Sequence, residues 1–311
     1  MSTHGLPQTL HHLVDPLLLH ETPTWLQRRS DKASRRRFGR LFQDAHALSV
    51  WPRRGEIRAA LAVRQLPRQA FGFPASRVHL LASPADHEAV NALSRLIAAQ
   101  RFPDTELFCE PHWNLRAVVP SLQQAGFGID GLSLAGDVFH ALETIPQRAV
   151  PAPFTLRQGS NKDHDALLEL RRTLFQAPDE AWRWYVGTES ELTRKRARLA
   201  VTDSRFWLLE HQGQLCGYIH TAPNRNSYLG RSFAGLDVAL SPEARGQGLL
   251  KVLMRTALED LWKRGIYAYT GLSSRPEVLH VATQLARHPF RIAMRTGASL
   301  SEEYFAETYP F

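Results

Sequence analysis

The sequence predicts an α/β fold in two tandem halves, and three observations carry that prediction. Short apolar runs bounded by turn residues alternate with longer stretches whose apolar residues recur every three or four positions. The same order of elements, hairpin, strand, Ser-Pro, helix, strand, helix and strand, occurs first over 46–145 and again after 151. Pro151-Ala152-Pro153 separates the two passes, and this proline-rich joint divides the chain into expected domains at 1–150 and 151–311. At 311 residues and 43% apolar content, the chain is long enough for two medium domains with buried cores.

In the first half, residues up to about Ala45 read as helical, with Trp25, Leu26, Phe38, Leu41 and Phe42 as apolar contacts among basic positions. Ala47 to Trp51 and Ile57 to Leu66 flank Pro52-Arg53-Arg54-Gly55, which predicts a hairpin. Arg77 to Ala82 forms a strand stopped by Ser83-Pro84, and Ala89 to Ala99 a helix with Val90, Leu93, Leu96 and Ile97 on one side. Thr105 to Cys109 is a short strand. Leu115 to Ala125 reads as a helix despite Pro120, and Gly126-Phe127-Gly128 ends it before Leu132 to Ala141 extends again.

The second half opens with a strand, Phe154 to Arg157, then a helix, Asp163 to Phe175, and a further helix or two within Ala181 to Leu199. Phe206 to Glu210 and Leu215 to His220 flank His211-Gln212-Gly213-Gln214, a hairpin whose Gly213 can take a positive φ. Leu236, Val238 and Leu240 then alternate against Asp237, Ala239 and Ser241, the period of a half-buried strand, and Ser241-Pro242 stops it. Arg245-Gly246-Gln247-Gly248 leads into a helix in which Leu249, Val252, Leu253, Thr256, Ala257 and Leu261 share a face. Tyr267 to Leu272 is a strand, Pro276 to Ala286 a helix, and the chain is extended from Phe290.

Composition narrows the function classes. No run of about eighteen apolar residues occurs, so no membrane span is expected. The N-terminal stretch lacks the basic head, apolar core and small cleavage residues of a secretory signal. Two cysteines, Cys109 and Cys216, lie far apart, which suits a reducing, cytoplasmic compartment. Lys and Arg outnumber Asp and Glu by 38 to 30, a net charge of +8 that favours anionic ligands. The densest basic clusters, Arg35-Arg36-Arg37 with Arg40 and Arg194-Lys195-Arg196 with Arg198, read as solvated helix faces, and no nucleic-acid-binding motif accompanies them. No metal site is read from the sequence.

The turn at Arg245 is the most informative stretch. The first N–H groups of a helix have no partners within it and face outward at its positive end, so an anion fits there. Gly246 and Gly248 carry no side chain to block the approach and Arg245 adds fixed positive charge, a combination suited to a pyrophosphate.

Strand, Pro, Arg-Gly-x-Gly and a long amphipathic helix together resemble the acetyl-CoA motif of the GNAT superfamily of N-acetyltransferases, Arg/Gln-x-x-Gly-x-Gly/Ala. Arg245, Gly246, Gln247, Gly248 and Leu249 fill its first five places, and Leu250 stands in the sixth, where the family prefers Gly or Ala. The resemblance is specific over 205–272 and architectural over 46–145. In the first half the corresponding junction is LLASPADHEAVNALSRL, where Ser83-Pro84 matches Ser241-Pro242 but Asp86 and Glu88 would repel a diphosphate. The resemblance therefore implies two GNAT-like domains, each a mostly antiparallel mixed sheet flanked by helices, with the first lacking the CoA motif and packed on the second as a pseudo-dimer within a monomer.

It further implies an N-acetyltransferase that moves an acetyl group from acetyl-CoA to a primary amine, with a non-catalytic acyl-CoA-binding or regulatory protein as the alternative. The cofactor lies in a gap beside the motif strand, held by backbone of Val238, Ala239 and Leu240 and by Arg245, Gly246, Gln247, Gly248, Leu249 and Leu250. Direct attack of an amine on a thioester needs an oxyanion donor, a proton acceptor and a proton donor for the thiolate. Asp237 is the nearest carboxylate to serve as acceptor, with Glu210 as an alternative. The family's donor tyrosine follows an Asn-x-x-Ala pattern, which this chain replaces with SSRPEVLHVATQLARHPF, leaving His280, Tyr267 and Tyr269 as candidates. Trp182, Trp184 and Tyr185 fall where the family builds the wall of its acceptor pocket. Cys216 reads as a buried strand thiol.

Overall fold

The computed structural model describes residues 10–20, 41–42, 45–66, 74–103, 105–176, 189–223, 233–273 and 276–296. Of the expected N-terminal helical stretch, Val14–Leu19 is an α-helix (α1), while Trp25, Leu26 and Phe38 lie outside the described residues. Trp182, Trp184 and Tyr185 lie outside them too.

Strands β1 (Ala47–Trp51) and β2 (Ala59–Gln65) form the first hairpin, with Trp51 opposite Ala59. Strand β3 (Ala75–Ala82), helix α2 (His87–Ala99) and strand β4 (Glu106–Cys109) follow, with β3 and β4 parallel. The stretch after β4 is a 3-10 turn, Trp113–Val118, that becomes an α-helix (α3, Val119–Gln124). Pro120 stands in the first turn of that helix, where its missing N–H has no intrahelical acceptor to lose. Strand β5 (Phe127–Asp137) starts five residues earlier than the glycines suggest and stops before Ala141. Asp137 ends it by accepting a hydrogen bond from the His140 amide at 2.8 Å, which caps helix α4 (Val138–Thr144).

The second half repeats the order with β6 (Phe154–Gln158), α5 (His164–Gln176), α6 (Glu189–Leu199), β7 (Arg205–His211), β8 (Gln214–Pro223), β9 (Phe233–Leu240), α7 (Leu249–Lys263), β10 (Ala268–Ser273), α8 (Pro276–Gln284) and β11 (His288–Thr296).

The eleven strands among the described residues join one mixed sheet in the order β1-β2-β3-β4-β11-β5-β10-β9-β8-β7-β6. The halves have exchanged their last strands: β5 pairs with β10 of the second half, and β11 pairs with β4 of the first. The order is symmetric about the antiparallel β11/β5 pair, with β6 as the extra strand at one edge. Arg295 of β11 pins this seam, donating to Asp130 of β5 at 3.2 Å and to Glu106 of β4 at 3.4 Å, and the Arg295 and Asp130 side chains are both buried. One apolar core surrounds α2 and α3, and a second lies between the sheet and α7. A smaller cluster fills the other face of the second half beneath α5 and α6.

Candidate active site

Strand β9 is the hinge of the site. It pairs with β8 from Ala234 to Leu240 but with β10 only over Phe233, Ala234 and Gly235. Beyond Gly235 the two parallel strands diverge, and Leu236 to Leu240 are half-buried along an open edge. The antiparallel ladder decides which groups face that edge. The Ser241 amide donates to the Cys216 carbonyl at 2.8 Å, so hydrogen-bonded pairs alternate back through Tyr218/Ala239 and His220/Asp237. The backbone of Asp237 and Ala239 is therefore committed to β8, and that of Leu236, Val238 and Leu240 faces the divergence. Two contacts agree: Arg245 Nε donates to the Leu240 carbonyl at 3.1 Å, and the Leu236 carbonyl lies 3.2 Å from a Cβ built on Gly271 of β10. Ala239, grouped by sequence with its neighbours, turns its amide the other way.

After β9 the chain makes a short 3-10 turn, Pro242–Ala244, and reaches Gly246 and Gly248 at φ +74 and +75. Those left-handed angles suit glycine and aim successive amides outward. Gly248 is the N-cap of α7 and supplies no side-chain cap. Among the described residues, the amides of 246 to 250 donate to no protein atom, and the first helical donors with partners are Lys251 and Val252, both to the Gly248 carbonyl. Among the described residues, a Cβ on Gly246 would meet nothing within 4 Å. Leu249 is buried in the core, and Leu250 packs against the same core from its edge, so its side chain turns inward from the amide corner. A run of orphan amides at the positive end of a fifteen-residue helix, beside two diverging strands, fits a diphosphate and the arm attached to it.

The matching corner of the first half is plugged. Asp86 caps α2 by accepting from the Ala89 amide at 3.1 Å. Arg58 grips the same carboxylate at 2.6 and 2.7 Å and reaches Glu88 at 2.9 Å. The chain's own carboxylate thus occupies the helix N-terminus that α7 leaves open.

Asp237 points to the face opposite α7, beneath α5 and α6, into a buried ionic cluster. Its Oδ2 accepts from Arg171 of α5 at 2.8 Å, Lys195 of α6 at 2.6 Å and the Tyr218 hydroxyl at 3.2 Å. Arg171 also donates to Tyr218. Lys195 Nζ lies 2.8 Å from His220 Nδ1, and His220 Nε2 lies 2.6 Å from Ser204 Oγ. The Lys195 and Arg171 side chains are 3% and 8% exposed, against 34% for Asp237. No donor among the described residues reaches Asp237 Oδ1, so the partly exposed carboxylate keeps one oxygen available.

Burial works against the charge on Asp237, but Arg171 and Lys195 outweigh it and hold the carboxyl well below its usual range. Burial pushes Lys195 down to about 8 despite the attraction of Asp237. His220 is driven well below its ordinary value by burial, with Lys195 adding to the effect, so the imidazole is neutral. Burial also raises the Tyr218 phenol.

The other sequence candidates are scattered. Tyr269 is fully buried in the core under α7, its ring against Gly136 and beneath the Arg287 guanidinium, and its buried hydroxyl has no hydrogen-bond partner among the described residues. Burial raises that phenol as well. Tyr267 is 54% exposed in an edge contact with Trp262. His280 is exposed on α8, its Nε2 3.0 Å from Gln284 Nε2. Glu210 is taken by Arg157 at 2.8 Å. Cys216 is buried, with burial raising its thiol to about 11.

Residues 166–288 match the model of the acetyltransferase (GNAT) family. Residues 166–288 therefore form a GNAT-family domain, and the fold of the chain is that of a tandem GNAT protein. Among solved structures it is similar to a tandem GNAT protein from the clavulanic acid biosynthesis pathway, at 17% identity over 97% of this chain and 98% of that one, with a TM-score of 0.51. A GCN5-related N-acetyltransferase from Sphaerobacter thermophilus aligns at 16% identity over 78% of this chain and 76% of its own, with a TM-score of 0.49. No curated protein matches in sequence. In the GNAT frame, β9 is the motif strand, α7 the helix that follows it, and the β9/β10 divergence the gap between. Sequence reasoning missed Arg171, Lys195, Tyr218, His220 and Ser204. One signal was present: Leu192, Lys195 and Leu199 follow helical spacing, and the two leucines are buried, which puts the lysine on the inward stripe.

Proposed function

We propose that the protein is an acetyl-CoA-dependent N-acetyltransferase acting on a primary amine. The observation that carries this reading is the set of orphan amides from Gly246 to Leu250 at the mouth of the β9/β10 divergence. Gly246, Gln247, Gly248, Leu249 and Leu250 would hold the diphosphate through their backbone, with Arg245 bracing the end of β9. Val238 and Leu240 offer the backbone groups that would orient the thioester arm. When bound, acetyl-CoA supplies the acyl group as an activated thioester.

The chain's own residues then divide the remaining work. Asp237, ionised by its two cationic neighbours, presents Oδ1 to hold the amine. A carboxylate held so far below its ordinary pKa is a weak proton acceptor, which favours an orienting role over abstraction. His280 is the candidate nearest in sequence to the family's thiolate donor. Tyr269 takes no part in this reading because its hydroxyl is sealed in the core. The units 1–150 and 151–311 are read as two GNAT-like domains, the second alone binding CoA, and the buried free cysteines suit a cytoplasmic location.

The second reading, a non-catalytic acyl-CoA-binding or regulatory protein, draws on the same geometry: Tyr269 is sealed and Asp237 Oδ2 is saturated. Thiol release from acetyl-CoA over a panel of primary amines separates the two. Amine-dependent release supports transfer, and CoA binding without turnover on any amine supports the binder.

A further inference from the structure

The segment between α4 and β6 has a role the motif does not describe. It leaves α4 along α7: Ile145 is buried in the α7 core, Val150 packs on it, and Arg255 of α7 holds the segment by donating to the carbonyls of Leu142 (2.9 Å) and Ile145. Between these anchors the chain passes the open N-terminus of the same helix. Arg148 is exposed there, and one guanidinium nitrogen lies 3.7 Å from the position a Cβ on Gly248 would take. No acidic side chain or carbonyl among the described residues pairs with it.

The placement is electrostatically unfavourable as it stands. A cation at the positive end of a helix dipole is repelled, and Arg245 adds like charge on the same turn. An exposed arginine is free to swing away, yet this one is delivered to the turn by a segment fixed on both sides. An anion between Arg148 and the amides of 246 to 250 converts the repulsion into two charge-assisted interactions.

We propose that Arg148 is a cofactor-binding residue contributed by the inter-domain segment, pairing with the diphosphate of CoA beside the Gly248 turn. This rests on the CoA site described above and adds to it a residue outside the stretch that matches the GNAT family, 166–288. It also makes cofactor affinity depend on how the first half is joined to the second, since α4 and β6 belong to different halves and fix the segment's ends.

The test is calorimetric titration of wild type, Arg148→Ala and Arg148→Glu with CoA, dephospho-CoA and pantetheine. The expected result is about tenfold weaker binding of both CoA and dephospho-CoA to Arg148→Ala, a larger loss for Arg148→Glu, and no change for pantetheine, which lacks phosphate. Thermal denaturation of the unliganded variants should match wild type, because the side chain is exposed. Wild-type affinity for CoA in Arg148→Ala overturns the inference and leaves the CoA site standing. A loss confined to CoA, with dephospho-CoA unaffected, also overturns it, by moving Arg148 to the 3′-phosphate. If wild type binds neither nucleotide, the CoA site and this inference fall together.

Discussion

Replacing Asp237 with Asn probes the buried cluster under α5 and α6. The substitution keeps the shape of the side chain and one carbonyl acceptor, but removes the negative charge to which Arg171 and Lys195 both donate. Breaking one partner of a buried ion pair costs about 3–5 kcal/mol when the other charge is left behind. Here two cations are left, with side chains 8% and 3% exposed, while Asp237 itself is 34% exposed and partly screened by solvent. Screening at the carboxylate brings the expected loss to about 3 kcal/mol, the lower end of that range. Urea denaturation at pH 7 measures it, and Lys195→Met on the Asp237→Asn background should recover at least about 1 kcal/mol of the loss, since the double variant buries one charge fewer.

The pH dependence gives an independent check. Folded Lys195 sits near 8 against an ordinary value of 10.5, so between those values the unfolded chain binds a proton that the folded chain has released. The contribution of Lys195 to stability therefore rises with pH across that window. Asp237 acts with the same sign in a more acidic window: its depressed pKa contributes stability that is fully present above the ordinary carboxylate value and is lost as pH falls through the folded value. In Asp237→Asn the attraction that opposes burial of Lys195 is gone, so the lower edge of the lysine window moves to more acidic pH. Strictly additive single-variant effects, or a loss below about 0.5 kcal/mol, contradict the coupled cluster.

Other parts of the structure make separate predictions. Gly248→Ala forces a Cβ into a left-handed N-cap and should lower stability by about 1–2 kcal/mol in denaturant titration while weakening CoA binding. Gly136→Ala places a methyl 2.4 Å from Tyr269 Cζ, and the forced repacking should cost about 1–3 kcal/mol. Arg295→Met removes a buried cationic partner of Asp130 at the exchanged-strand seam and should destabilise by about 3–5 kcal/mol, most of it restored by adding Asp130→Asn. Asp86→Ala removes the α2 cap, costing about 1 kcal/mol, and calorimetry should still give one CoA per chain, because Glu88 remains beside Arg58 at that corner.

The sequence made local geometry legible where a residue's chemistry forces it. Both hairpins, the Ser-Pro stops and the helix after Gly248 follow from turn residues and apolar period, and the amides at Gly246 to Leu250 lie where the glycines put them. What escaped was non-local. The choice of β10 over β4 as the partner of β5 depends on contacts more than a hundred residues apart, and no pattern within β5 announces it. Asp137 was readable as a cap, but the apolar run through Ala141 concealed the change from strand to helix. Lys195 sits among basic neighbours that mark a solvated face, and only its register with Leu192 and Leu199 separates it from Arg194 and Arg196. Tyr269 shares a strand with residues at the gap, yet its side chain falls on the α7 face, where the core closes over it.

The most direct test of the CoA site is a titration of 15N-labelled protein with acetyl-CoA, read at individual backbone amides. Hydrogen bonding to a phosphate should move the Gly246, Gly248, Leu249 and Leu250 amide protons downfield at saturation, with smaller changes at Val238 and Leu240 and none at the Asp86 corner of α2. Saturating acetyl-CoA that leaves the Gly246 to Leu250 amides in place would contradict the account.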